Sequence, residues 1–155
     1  MVKHTVNDKK NFFNMCNNLS LLSLLVIASV FDLSQRRIPN WLILMGCGIA
    51  FFIARLNGVM TIESTLQAMG LALLLGFPLY QRGWCGAGDI KLMIMVASFV
   101  GALLFLKLVV YVLAAGGLVS AYYRLKSAHQ TVPYALAITI GVMINQSISY
   151  LNGYV

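Results

Sequence analysis

Residues 19–33, 41–54, 62–80, 90–123 and 133–151 are apolar runs, and short polar or basic breaks separate them. Crossing a bilayer takes roughly 20 apolar residues in a helix rising about 1.5 Å per residue. The first run reaches that length only with part of residues 12–18. Residues 90–123 are too long for one span, which predicts two helices that turn between Phe99 and Lys107, with Lys107 snorkelling to the surface. Trp41 suits an interfacial anchor. The pattern predicts an all-α integral membrane protein, a bundle of six transmembrane helices over residues 12–155 behind a polar tail, residues 1–11. A cleaved signal peptide is the competing reading of the first run, because Lys3, Lys9 and Lys10 precede it. Against that reading, no small-x-small cleavage site precedes the next apolar run.

Composition agrees. Charged residues make up 10% of the 155, against roughly 25% in a soluble domain. The net charge of +7 is dispersed in ones and twos, without the basic stripe or aromatic pattern that nucleic acid requires. Basic loops facing the cytoplasm and anionic lipid explain it better. Cys16, Cys47 and Cys85 form no CxxC or Cys/His cluster, so no metal or cofactor is expected. Cys47 reads as a helix-packing residue, and nothing supplies Cys85 with a base. His4 and His129 fall in the tail and a loop and read as solvated.

Only four acids occur: Asp8, Asp32, Glu63 and Asp89. Asp8 lies in the tail and Glu63 in an external loop. Asp32 ends the first apolar helix and Asp89 begins the fourth, so two crossings separate them and they share one side. Pro133 and Tyr134, two crossings later, return to it. Arg36, Arg37, Arg82, Arg124 and Lys126 mark that side as cytoplasmic, although the basic tail argues for the opposite orientation.

Ionisable residues at membrane depth are functional candidates by default. Each aspartate also has a simpler role. Asp89 could cap its helix, where a carboxylate meets free N–H groups and the positive dipole end. Asp32, at a helix C-terminus, could pair with Arg36 or Arg37. Together they suggest chemistry. Two semi-buried carboxylates do not ionise together easily, so they share a proton. One can then deprotonate water while the other protonates or polarises a carbonyl. Gly86 and Gly88 lack Cβ atoms and would let a substrate backbone approach Asp89. Lys91 could reach lipid headgroups or bias the pair. Pro39 and Asn40 suit a helix start.

The segments FDLSQRRIPN (31–40) and GAGDIKLM (86–93) resemble the type IV prepilin peptidase family of GxGD membrane aspartyl proteases. VPYALAI (132–138) is similar to the family's third motif, with Ala135 where glycine is usual. The resemblance covers roughly residues 20 to 150. It implies that Asp32 and Asp89 are catalytic, at the cytoplasmic membrane boundary. Gly86, Gly88, Lys91, Pro39, Asn40, Pro133 and Tyr134 then lie near the substrate. It implies removal of the basic leader of prepilins at the bacterial inner (cytoplasmic) membrane, with pilus-assembly components as further partners. Larger members add a methyltransferase region with paired CxxC motifs. This chain has neither the length nor the cysteines, so it looks like the short peptidases of tight-adherence (Flp, type IVb) systems, of the TadV and CpaA kind. An archaeal-type preflagellin peptidase, a small proton-coupled transporter using the two aspartates, and an inactive scaffold are the alternatives.

Overall fold

The computed structural model describes residues 2–35, 37–57, 61–83, 85–126 and 134–151. They form six helices and no strand: α1 (Val2–Gln35), α2 (Asn40–Asn57), α3 (Ile62–Gln81), α4 (Ala87–Val100), α5 (Ala102–Lys126) and α6 (Tyr134–Leu151). The six predicted helices are all present. α1 begins at Val2, so the backbone of residues 2–11 continues the first helix. Pro133 lies outside the described residues.

Local chemistry explains several boundaries. Thr61 caps α3, its Oγ1 accepting the Ser64 N–H at 3.2 Å, and Glu63 in the first turn suits the positive dipole end. The turn expected between Phe99 and Lys107 is made by one residue. Gly101 adopts φ 80° and ψ 165°, a region open essentially to glycine alone. Its N–H donates to the Ala97 carbonyl at 3.0 Å and its carbonyl accepts from Phe105 at 2.9 Å, so α4 passes directly into α5. Asn17 of α1 donates to the Phe99 carbonyl at 3.0 Å, which satisfies a group that the end of α4 leaves unpaired.

Helix neighbours define a ring. α1 packs on α2, α2 on α3, α3 on α5, α5 on α6, and α6 on α1, while α4 touches all five. α4 is the axis. It buries Leu92, Met95, Val96, Ala97, Ser98 and Phe99 against Leu21, Leu24, Leu25 and Ala28 of α1 and Ile138 and Val142 of α6, among others. The α1 residues recur at i, i+3, i+4 and i+7, the inward stripe of a 3.6-residue period. Outside that stripe, Leu19, Val26, Ile27, Val30 and Leu33 are exposed although apolar. A helix apolar on both faces suits lipid.

Three described segments are long and apolar enough to cross a membrane: Phe12–Gln35, Ile62–Gln81 and Ala102–Val119. Asn40–Leu56 and Tyr134–Ile148 are shorter apolar helices. α4, with 14 residues, is only about 21 Å long; five neighbours surround it, so it does not meet lipid along its whole length. Close approach completes the bundle. A Cβ on Gly141 of α6 would lie 2.8 Å from the Cα of Val112 in α5, so these backbones meet at a glycine, as membrane helices commonly do.

Candidate active site

Asp32 continues the inward stripe of α1, at i+4 from Ala28 and i+7 from Leu25. Asp89 stands at i−3 from Leu92 on α4. Each is therefore carried inward, one turn beyond the core, and each is only partly buried. The two carboxylates lie near enough for their charges to act on one another.

Asp89 is held locally. The N-cap of α4 is Gly86, in extended conformation, and Asp89 is the third helical residue. It is therefore not the cap residue itself. Its Oδ2 reaches back to accept the Gly86 N–H at 2.9 Å, the acidic half of a capping box. The position next to the positive end of α4 favours the carboxylate.

Asp32 is held from a distance. It does not turn to Arg37, which is exposed; Arg36 lies outside the described residues. Its Oδ2 accepts the N–H of Ala135 at 3.2 Å, across 103 residues. Ala135 is in the first turn of α6, where backbone N–H groups have no partner within the helix. The positive end of α6 thus offsets the unfavourable C-terminus of α1. Each carboxylate thus accepts a backbone N–H on its Oδ2.

Two glycines shape the start of α4. A Cβ on Gly86 would come within 3.3 Å of Asp89 Oδ2, so Gly86 gives the carboxylate room to reach the backbone. Gly88 faces Ile38, and a Cβ there would be 3.7 Å away, an ordinary contact. Lys91, expected to reach lipid or the carboxylates, donates instead to Asn40 Oδ1 at 2.9 Å. That bond ties the start of α4 to the start of α2. Asn40 is helical, and the preceding Pro39 supplies the carbonyl that accepts the Leu42 N–H at 3.1 Å. Tyr134 opens α6 beside Ala135.

Cys85 is half-buried in the loop before α4. Burial, and secondly the charge of Asp89, push its thiol up from the ordinary value, away from a reactive thiolate. Among the described residues no group of three His, Cys, Asp or Glu could hold a metal ion.

Sequence reasoning missed three participants in this arrangement: the Ala135 N–H, Ser29 and Thr139. Ser29 and Thr139 meet beneath Asp32, their hydroxyls 2.8 Å apart. A hydroxyl residue on the inward stripe, three positions before Asp32, was the available signal.

The model of the type IV leader peptidase family matches residues 19–145. That match takes in both aspartates and the start of α6, and the chain belongs to this family. No curated protein and no solved structure matches it. The chain is accordingly a protease of the type IV prepilin peptidase kind, with prepilins as substrates. With three helices able to span a bilayer, it is a multi-pass membrane protein.

Proposed function

We propose that the chain is an aspartic endopeptidase in which Asp32 and Asp89 are the catalytic pair. The observation that carries this reading is the convergence of two partly buried carboxylates at one end of the bundle, each with one oxygen held by a backbone N–H. One carboxylate takes a proton from water as the water attacks the scissile carbonyl. The other, protonated, donates to the carbonyl oxygen. Collapse of the tetrahedral intermediate returns a proton to the departing nitrogen, leaving a new carboxylate and a new amine. The two anchoring N–H groups keep both carboxylates oriented through these transfers.

Gly86, Gly88, Lys91, Pro39, Asn40, Pro133 and Tyr134 are the residues in reach of the bound segment. All six helices cross the bacterial inner membrane, and the pair faces the cytoplasm, where a basic leader would be cut. The reading takes Flp (type IVb) prepilins as the substrates and cleavage without methylation of the product as the activity.

The test is leader cleavage of a co-expressed Flp-type prepilin in membranes. Asp32→Asn and Asp89→Asn should each lower processing by about 10²–10⁴-fold while the protein remains inserted, and mature pilin should carry an unmethylated N-terminus by mass. Processing that survives either substitution would overturn the pair.

A further inference from the structure

The bundle buries few polar side chains, and two of them form one unit between α1 and α6. Ser29 and Thr139 are 8% and 7% exposed, and their hydroxyls lie 2.8 Å apart. Thr139 Oγ1 also donates to the Ala135 carbonyl at 2.8 Å and stands 3.4 Å from the Leu25 carbonyl. Ser29 Oγ lies 3.4 Å from the Ala135 carbonyl. Two hydroxyl protons serve these acceptors, and the short distances select one chain: Ser29 donates to Thr139, and Thr139 donates to Ala135.

A threonine bonded to its own i−4 carbonyl is common in helices and links nothing. The contact with Ser29 makes this one a link between helices. Leu25, Ser29 and Asp32 occupy one face of α1, at i, i+4 and i+7. They meet Thr139, then Thr139 with Ala135, then the Ala135 N–H. The Asp32 anchor is therefore the last rung of a seam whose other rungs are these hydroxyls. At 3.2 Å it already sits at the long end of N–H···O bonds, and a slide of α6 by one residue, about 1.5 Å, would break it. Leu25, Ala28, Ile138 and Val142 pack the same interface, but apolar contacts between membrane helices are non-directional and set translation weakly.

We propose that Ser29 and Thr139 are positioning residues, whose hydroxyl pair sets the register of α6 against α1 and so aims the Asp32 carboxylate. This rests on the reading of Asp32 as catalytic. The removal of either hydroxyl displaces the carboxylate without touching the substrate.

The experiment measures kcat and KM for prepilin cleavage by purified protein in lipid nanodiscs, at a temperature where each variant stays folded. Thr139→Val and Ser29→Ala should each lower kcat roughly 10-fold, with KM within about 2-fold of wild type. Thr139→Ser, which keeps the hydroxyl, should restore kcat, an outcome that a purely packing role would not give. Wild-type kcat in Ser29→Ala or Thr139→Val would overturn the inference, and so would a Thr139→Ser variant as slow as Thr139→Val. If Thr139→Val does not insert, Ser29→Ala carries the same reading. Asp32→Asn run alongside separates the two levels. Its retention of activity would remove the catalytic pair itself, whereas its inactivity beside an unaffected Ser29→Ala would remove only the positioning role.

Discussion

The two aspartates sit at the positive ends of helices, but of different kinds. Asp89 uses the N-terminus of its own helix and a donor three residues away. Asp32 lies at the wrong end of α1 and uses the N-terminus of α6, 103 residues away. The first carboxylate is set once α4 forms; the second is set only when α1 and α6 dock. One half of the pair thus depends on local structure and the other on the whole bundle. This difference predicts which distant changes reach the chemistry.

Gly141→Ala should have the largest effect. A methyl there meets the Val112 backbone at 2.8 Å, and overpacking of this kind costs about 1–3 kcal/mol. Because α6 carries the Asp32 anchor, thermal unfolding in detergent and prepilin cleavage should both fall. Unchanged cleavage in a clearly destabilised variant would break the comparison. Gly86→Ala should act on the local half alone. Its methyl presses on Asp89 Oδ2 at 3.3 Å, and loss of about 1 kcal/mol of hold on the carboxylate should slow cleavage about 5-fold. The unfolding temperature should fall by no more than about 2–4 °C. Asn40→Ala should have the smallest effect. It removes an exposed bond to Lys91, and the stability loss should stay within about 1 kcal/mol in the same unfolding assay.

The same contrast explains what could be read from the chain before folding. The surroundings of Asp89 were legible because GAGD sits in a break immediately before an apolar run, and a carboxylate in a helix's first turn needs only nearby backbone. The detail differed: Gly86 is the cap and Asp89 reaches back to it. For Asp32, counting membrane crossings put Asp89 and the start of α6 on its side. No local pattern could show that an α6 N–H would be its partner. Six helices were legible from apolar runs, and the turn inside residues 90–123 was bracketed. Gly101 was one of several glycines, and only its backbone angles single it out. Ser29 had a signal in its place on the inward stripe before Asp32, whereas Thr139 looks like any hydroxyl residue in an apolar segment until α1 and α6 are docked.

The most direct test of the account is a double-mutant comparison on the aspartates. Single-turnover cleavage of a prepilin would be measured for Asp32→Asn, Asp89→Asn and the doubly substituted protein in nanodiscs. If the two carboxylates act as one unit, each single substitution should leave about the same residual rate as the double. A doubly substituted rate lower than wild type by the product of the two separate effects would contradict the account, because it would mean that Asp32 and Asp89 act independently.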